Sequence, residues 1–503
     1  MSIHPEARSV IARISLSYWC LCLLLMTLCS GCIMLGPDFT PPPAPMHDAW
    51  LGHDKSLYQK TAQKPDWWQV FDDPLLSRLI QQAWQNNPDR LAAMFRIQEA
   101  RARLGIAKSS LFPQRQTFGM EIMAEKLSEA WPYYDANNSS AFGSFQTGFD
   151  AVWEMDIWGR FQRGIEAAQA QLDASMLDHD DILVSLAAEV AVTYIDIRTL
   201  QQRRLLAAKN HEVQARTYAI SRSRFQNGLS TELDMQQADA LRKSTEAEIA
   251  GIDRSLLQSV YALCALTGQT PSALPEILAN PASIPVASGQ VMAGVPADML
   301  RRRPDIRREE RKAAAESALI GVAESELYPR LSLYGSIGIG TGTANGTDIL
   351  DVINIHSLAA KFGPSVTWPI FNYGRLRNNV RGHEARFDGL LMAYRSQVLR
   401  ALREVEDAMA GFNQSRRQVE ALSEGVQASS RAVELALRQY QEGLEDYTRV
   451  LNSQQFLVQQ QDQLTRSQGA VARYLIATYK ALGGGWEVFH EQARVQQMAQ
   501  TTE

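Results

Sequence analysis

The distribution of proline constrains this chain more than any other feature of its sequence. After Pro132 the next proline is Pro271, and no proline follows Pro369 in the remainder of the 503 residues. Proline inside a helix removes a hydrogen bond and clashes with the preceding turn, so its absence permits uninterrupted helices. The stretch 160–226 contains one glycine, and its 67 residues would extend about 100 Å as a helix. The sequence therefore predicts helices longer than a compact domain.

A regular apolar pattern supports these long helices. Apolar residues recur at spacings of three and four in both proline-free windows, as they do in the seam of a coiled coil. In the first window they are Leu172, Met176, Leu183, Leu186, Val190, Tyr194 and Ile197, and in the second Leu391, Tyr394, Val398, Leu402, Val405, Met409 and Phe412. We expect these side chains to pack as core, and none of them needs to bind a cofactor.

The two windows belong to an internal duplication. Matching segments, 215 or 216 positions apart, are Trp153–Arg160 and Trp368–Arg375, Phe225–Leu229 and Tyr440–Leu444, Phe112-Pro113 and Tyr328-Pro329, and Pro88-Asp89 and Pro304-Asp305. Each half reads as helix, strand, loop, strand, very long helix, tight turn and long helix. The chain is therefore expected to contain two copies of one unit.

Four segments alternate in the manner of strands, with apolar residues on one face and small or polar residues on the other. The clearer segments are 145–155 and 331–340, and the weaker ones are 117–122 and 362–370. Segments of roughly ten residues with this alternation are typical of a transmembrane barrel. The edge of a two-sheet sandwich is the alternative.

The amino terminus has the pattern of a secretory signal, which we assign to residues 1–31. Its apolar run, Leu16–Leu28, has 13 residues, whereas a spanning helix needs about 20. Leu28–Cys32 resembles a bacterial lipobox, so Cys32 is predicted to carry a lipid; an ordinary signal peptide is the alternative. In the mature chain Cys264 would be the other cysteine, and its apolar neighbours predict a small core residue.

Composition and spacing argue against several other functions. The net charge of −5 is not that of a nucleic-acid-binding domain, so no nucleic-acid partner is expected. The eight histidines show no metal-binding spacing, and no nucleophile, base and orienting group cluster in the sequence. The chain is therefore predicted not to be an enzyme, with no catalytic residue, no metal site and no cofactor except the lipid on Cys32. The charges of Arg301–Arg303 are expected to be solvated.

Four membrane-spanning strands cannot close a barrel by themselves. Open sheet edges in hydrocarbon leave backbone groups without hydrogen bonds, at several kcal/mol each. The chain is therefore expected to form oligomers in the membrane. Two copies would give about eight strands, a barrel filled by its own side chains, and three would give about twelve, with room for an aqueous lumen. This arithmetic does not exclude four copies.

Motifs spread over the chain resemble those of a known family. They are Cys32 with Gly36–Phe39 and Pro42, Trp67-Trp68 with Phe71–Leu75, Asn86–Asp89, Trp153–Arg160 and Arg302–Ile306. In these residues the chain resembles the TolC-related outer-membrane efflux lipoproteins, also called the NodT or outer membrane factor family. The resemblance extends from Cys32 to about Trp486.

The resemblance implies an α+β membrane protein that assembles as a homotrimer. Four transmembrane β-strands per chain would form a 12-stranded barrel in the outer-membrane lipid, continued by a long coiled-coil α-helical barrel through the periplasm. The implied segments are a lipid-anchored and equatorial part at 32–87, repeat 1 at 88–268, an equatorial linker at 269–303, repeat 2 at 304–484 and an equatorial tail at 485–503.

The resemblance also implies a role for the two predicted turns. Gly228-Leu229 and Gly443-Leu444 would form the periplasmic tip, where a periplasmic adaptor (a membrane fusion protein) docks. Glycine suits the positive φ at which many helices end, so a turn without further function is the alternative.

Relatives place a periplasmic gate just beyond these turns, where this chain has Asp234, Arg449 and Asn452. An acidic ring is not expected because Arg449 and Asn452 replace carboxylates there. We expect Asp234 to pair with Arg449 across adjacent coils and to hold the resting tip closed. Solvated surface charges are the alternative.

The implied function is that of an outer-membrane exit duct in a tripartite efflux system of the RND type. The duct would passively conduct small toxic compounds or drugs delivered by an inner-membrane transporter and its adaptor. A duct for type I protein secretion and a non-conducting coiled-coil scaffold of the envelope are the alternatives.

Overall fold

The computed structural model describes residues 34–43, 58–59, 65–126, 128, 130, 141–271, 281–286, 291–292, 302–342 and 355–501. Cys32 and the signal segment lie outside the described residues, as does much of the linker 269–303. Lipidation of Cys32 therefore stays a prediction.

Helices make up most of the described chain. They are α1 (Pro74–Asn86), α2 (Pro88–Ser109), α3 (Arg160–Gln226), α4 (Glu232–Leu266), α5 (Pro304–Ser325), α6 (Arg375–Gln441), α7 (Tyr447–Ala481) and α8 (Trp486–Thr501). The strands are β1 (Tyr58–Gln59), β2 (Arg115–Lys126), β3 (Ala141–Glu154), β4 (Val291–Met292), β5 (Arg330–Gly342) and β6 (Leu358–Thr367), and short 3-10 helices span Trp67–Phe71 and Ile355–Ser357.

The helix lengths repeat between the two halves of the chain. Helices α3 and α6 each have 67 residues, and α4 and α7 each have 35. The prediction of a 67-residue helix at 160–226 is confirmed at both ends. In the part of the chain that the structure describes, no helix is both long and apolar enough to cross a membrane.

The four predicted strand segments form one antiparallel sheet in the order β2-β3-β5-β6. Among the described strands, β2 and β6 each have a single neighbour, so the sheet has two open edges within the chain. The strands are 10 to 14 residues long, which is enough for a tilted strand to cross the hydrocarbon of a bilayer.

The two faces of this sheet differ in the way the alternation predicts. One register row joins Phe118, Phe149 and Ile337, whose side chains are more than half exposed. The next row joins Gly119, Gly148 and Gly338, and a Cβ on Gly148 would lie 2.7 Å from the Cα of Gly338. An exposed apolar face backed by a small or polar face is the pattern of a membrane barrel wall.

The chain's contacts divide it into two compact units. Unit 1 comprises the described residues within Met1–Pro42, Gln98–Asp173 and Glu310–Met392, and it contains the four-stranded sheet. Unit 2 comprises those within Pro43–Ile97, Ala174–Glu309 and Ala393–Glu503. Each repeat contributes segments to both units.

Unit 2 contains a large aromatic and aliphatic core. Trp67 stacks on Tyr479 with ring centroids 5.7 Å apart, and Trp68 meets Trp84 edge to face at 5.2 Å. Buried aromatic pairs of this kind contribute about 0.5–1.5 kcal/mol beyond their buried area. Cys264 is buried in the same core, as predicted.

The uncharged side chain of Asn87 connects the start of α2 to the end of α4, a contact that we call the neutral tie. The Asn87 carboxamide oxygen accepts hydrogen bonds from the backbone N–H groups of Asp89 and Arg90, at 2.9 and 3.1 Å. Its nitrogen donates to the carbonyl of Leu266, the last residue of α4, at 3.0 Å. One side chain therefore caps α2 and joins it to the end of the last helix of the repeat.

The corresponding residue of repeat 2 is Arg303. Its charged side chain connects the start of α5 to the end of α7, a contact that we call the ionic tie. Its guanidinium donates to the carbonyl of Ala481, the last residue of α7, at 2.8 Å, and also to the carboxylates of Asp305 and Glu404. The expectation that Arg303 is solvated is wrong, because its side chain is only 8% exposed. Burial opposes ionisation of Asp305, but its bonds with Arg303 and Gln397 hold its pKa below the usual range.

Candidate functional site

The structure builds the two predicted tip turns with the same backbone geometry. Gly228 has a φ of +68° and Gly443 a φ of +77°, the left-handed conformation in which glycine is favoured. The next N–H in each turn, from Leu229 or Leu444, donates to a carbonyl five residues earlier at 2.8 or 2.9 Å. Both are Schellman turns, which satisfy the last carbonyl groups of a helix.

Each turn carries one exposed leucine. Leu229 is 66% exposed and Leu444 is 71% exposed. Exposed leucines are common singly on protein surfaces, yet these two occupy equivalent positions of the two repeats. The turns therefore expose two equivalent apolar side chains, one at the end of α3 and one at the end of α6.

Arg224, which sequence reasoning missed, joins the two turns. Its guanidinium donates to the carbonyl of Gln441 at 3.1 Å and to that of Leu229 at 3.4 Å, so it bonds to both turns. It also lies over the ring of Tyr440, with its Cζ 4.9 Å from the ring centroid, a cation–π contact. No local sequence pattern distinguishes Arg224 from the many other arginines of the long helices.

A small core, the tip core, holds the helix ends together beneath the turns. It consists of the buried residues Ala238, Ala436, Tyr440, Tyr447 and Val450. The rings of Tyr440 and Tyr447 meet edge to face with centroids 5.6 Å apart. Burial raises the pKa of the Tyr447 hydroxyl, and the neighbouring Tyr440 and Asp234 add to the shift.

The structure gives Asp234 and Arg449 other partners than the predicted pair. Asp234 completes a capping box with Thr231 at the start of α4, accepting from the Thr231 N–H at 3.4 Å. Arg449 pairs with Glu445 at 3.0 Å, one turn earlier in the chain. Within the described chain, each of the two residues therefore bonds to a residue three or four positions away in sequence, Thr231 for Asp234 and Glu445 for Arg449. A pair between neighbouring chains of an assembly stays a prediction.

Asn452, the third predicted gate residue, lies exposed on α7. Its counterpart in repeat 1, Gln237, has a buried side-chain oxygen without a hydrogen bond in the described structure. The two equivalent positions therefore differ in exposure, which the shared spacing from the turns did not predict.

The segment that follows Cys32 is held by a buried arginine in unit 1. Arg163 is 2% exposed and donates to the carbonyls of Leu35 and Gly36 and to the carboxylate of Asp38, at 2.9, 3.1 and 2.8 Å. Gly36, with a φ of +84°, has no room for a Cβ because Gly321 lies against it. More than 120 residues separate Arg163 from this segment, so sequence spacing gave no signal for the contact.

The sheet and the helical turns define a class of protein. A four-stranded sheet with an exposed apolar face, combined with two long helical hairpins, is the architecture of a TolC-like outer-membrane channel subunit.

Comparison with known proteins identifies the family. A family model described as outer membrane efflux protein matches residues 79–269 and 295–484, once in each half. The chain belongs to the outer membrane efflux protein family.

Individual relatives agree over nearly their whole length. Nodulation protein T of Rhizobium leguminosarum bv. trifolii is 29% identical, over 91% of this chain and 96% of the relative. The pyoverdine export outer membrane protein OpmQ of Pseudomonas putida is 32% identical, over 93% of this chain and 97% of the relative. The solved structure of the outer-membrane channel OprN matches with a TM-score of 0.84 at 29% identity, covering 90% of this chain and 99% of that one. The predicted family and fold class are confirmed.

Proposed function

We propose that three copies of this outer membrane efflux protein form a trimeric exit duct for a tripartite pump, with a 12-stranded barrel continued by a helical tunnel. The observation that carries this proposal is the four-stranded sheet, which exposes an apolar face and leaves both edge strands with a single neighbour among the described strands. Unpaired strand edges are costly in hydrocarbon, so neighbouring copies would pair them. A coiled-coil scaffold would have no need of such a sheet.

The remaining parts of the proposal concern anchoring and partners. Cys32 would attach the chain to lipid of the outer membrane, and Arg163 would fix the following segment to the start of α3. The two turns would dock a periplasmic adaptor that connects the duct to an inner-membrane transporter. Pyoverdine export by the relative OpmQ supports a small-molecule cargo for this chain.

Conductance and efflux measurements would test the duct. The purified protein should form crosslinkable trimers and conduct ions in planar bilayers, and cells that lack their own outer membrane duct should accumulate less of a fluorescent dye when they express it. Palmitate labelling of wild type, but not of Cys32→Ala, tests the lipid. Dimers, or trimers that conduct nothing, would contradict the proposed duct.

The tip can be tested separately. The double variant Leu229→Asp/Leu444→Asp should keep its trimer and its conductance but lose dye efflux, because charged side chains would disrupt an apolar contact with the adaptor. Leu257→Asp, at an exposed leucine within α4, serves as the matched control and should keep efflux. Retained efflux in the double variant would refute adaptor docking at these leucines.

A further inference from the structure

Three side chains with metal-binding atoms meet in unit 2. His179 and Asp180 lie on α3, and His490 lies on α8. The His490 Nε2 is 2.7 Å from the Asp180 Oδ1, and the His179 Nδ1 is 3.6 Å from the same oxygen. One ligand atom from each residue falls within 4.8 Å of the other two. Only small side-chain shifts would bring these atoms to the separations found around a tetrahedral zinc ion, whose bonds are about 2.0–2.2 Å long.

Aromatic side chains pack against this cluster, and two arginines, Arg302 and Arg494, are near enough to interact electrostatically with Glu487 and His490. His179 is 5% exposed and Asp180 is 8% exposed. The ring of Phe489 lies 5.8 Å from that of His179, and the ring of Trp486 lies 5.8 Å from that of His490. His490 is the most exposed of the three, with 43% of its side chain open to solvent. The cluster is therefore largely dry, with an access route at His490.

A further carboxylate, that of Glu487, lies close to this cluster. Glu487 precedes His490 by three residues on α8, so the two side chains lie on the same face of the helix. The Glu487 Oε2 is buried and has no hydrogen-bond partner in the described structure, and its carboxylate is close enough to Asp180 to interact electrostatically. A buried carboxylate oxygen without a partner is costly unless a cation or a donor compensates it.

We propose that His179, Asp180 and His490, with Glu487 as the fourth donor, bind a divalent metal ion of the zinc class. Two imidazoles and two carboxylates match the ligands that zinc prefers over calcium or magnesium, which favour oxygen alone. Four protein ligands leave no open position, so the ion has a structural role. It ties the carboxy-terminal helix α8 to the long helix α3. The prediction of no metal site relied on local spacing, and Asp180 and His490 are 310 residues apart.

Metal binding by the whole protein tests the proposal. Untagged trimer in detergent is stripped with a chelator, and Zn²⁺ binding is followed by competition with a chromophoric chelator. Wild type should bind one Zn²⁺ per chain, and His490→Gln should bind at least about tenfold more weakly. Co²⁺ loaded into wild type should show the visible absorption of a tetrahedral nitrogen and oxygen site, and this signal should disappear in His490→Gln.

Matched variants test whether a loss of Zn²⁺ binding reflects a missing ligand and not a general disturbance of the structure. His383→Gln is the control, because the His383 Nδ1 pairs with Glu316 at 2.7 Å in unit 1 and belongs to no three-ligand cluster of the described residues. It should leave Zn²⁺ affinity unchanged. Glu487→Gln, which keeps the size of the side chain, should weaken binding while the trimer and its helical circular dichroism remain. Zn²⁺ binding below one ion per chain in wild type, or equal affinity in the His490 and His383 variants, would overturn the proposal. In that case the Asp180–His490 hydrogen bond merely docks α8.

Discussion

The two repeats make the same connection between helix ends with different side chains. Asn87 and Arg303, at equivalent positions, both join the start of a helix to the carbonyl that ends the last helix of their repeat. The first tie is a neutral amide that also caps its helix. The second is a buried cation that requires a buried anion, Asp305. Duplication has thus preserved the backbone connection while the chemistry changed.

The turns differ in a similar way. Thr231 in repeat 1 caps α4 through its hydroxyl, with Asp234 completing the box, whereas the equivalent Asp446 in repeat 2 makes no capping hydrogen bond through its side chain. Arg449, at the position of Asp234, binds Glu445 instead. At these two pairs of positions, repeat 1 uses neutral side chains to cap its helices and repeat 2 uses ionic contacts, which the following predictions test.

The largest effect is expected from Arg303→Ala. The substitution leaves the buried Asp305 without its ion partner, which typically costs about 3–5 kcal/mol. Thermal unfolding followed by circular dichroism should show a marked decrease in midpoint. Arg307→Ala, at an exposed arginine in the first turn of α5, is the control and should change the midpoint little. Equal midpoints for both variants would show that the ionic tie does not stabilise repeat 2.

Acidification should weaken the same tie by a smaller amount. The pKa of Asp305 is depressed in the folded protein, so its charge stabilises the fold at pH values above about 3.9, the ordinary pKa of aspartate. This contribution is lost as the pH falls towards the depressed value. Asp305→Asn should therefore flatten the decrease in unfolding midpoint between pH 5 and pH 3. An unchanged slope would argue against a charged Asp305 in the fold.

The neutral tie should matter less than the ionic one. Asn87→Ala removes a cap and one bond to the Leu266 carbonyl, for which we expect a loss of about 1–2 kcal/mol, with no added sensitivity to acid. Asn87→Asp, which can still accept from the helix N–H groups, should recover part of the loss. A loss that matches Arg303→Ala would remove the distinction between the two ties.

The caps of the turns should differ by a still smaller amount. Thr231→Ala should cost about 1 kcal/mol and increase hydrogen exchange of the backbone amides at the start of α4. Asp446→Ala should change exchange at the start of α7 by much less, because its side chain caps nothing there. Equal increases at both sites would show that the two turns do not differ in the way described.

The exposed Arg449–Glu445 pair should have the smallest effect. Arg449→Ala is expected to change stability by less than about 1 kcal/mol, because its side chain is 67% exposed and solvent screens the pair. Bilayer conductance and antibiotic leak should stay at their wild-type values. A rise in either would instead support a gate contact between neighbouring chains.

The sequence predicted those features that depend on local pattern. The absence of proline permitted a long helix over 160–226, alternation located the four strands of the sheet, and Gly228 and Gly443 marked the turns. These signals work because hydrogen bonding and side-chain periodicity act over a few residues.

Several features that sequence reasoning missed join distant residues. Arg163 holds a segment more than 120 residues away, and Arg303 is buried by groups that come from α6 and α7. Asp234 and Arg449 instead make local contacts, with residues three or four positions away. The pattern of a single sequence does not reveal which distant residues will be in contact. It does show that a charged residue lies next to the start of a helix, even when its partner is unknown.

The equal lengths of corresponding helices restrict how this chain can evolve. Each residue added to a helix rotates everything beyond it by about 100° and moves it by about 1.5 Å. A single deletion in α3 would therefore turn Leu229 to another side of its helix, while Leu444 at the end of α6 would stay where it was. We therefore expect an insertion or deletion in one long helix to require a matching change in its counterpart in the other half.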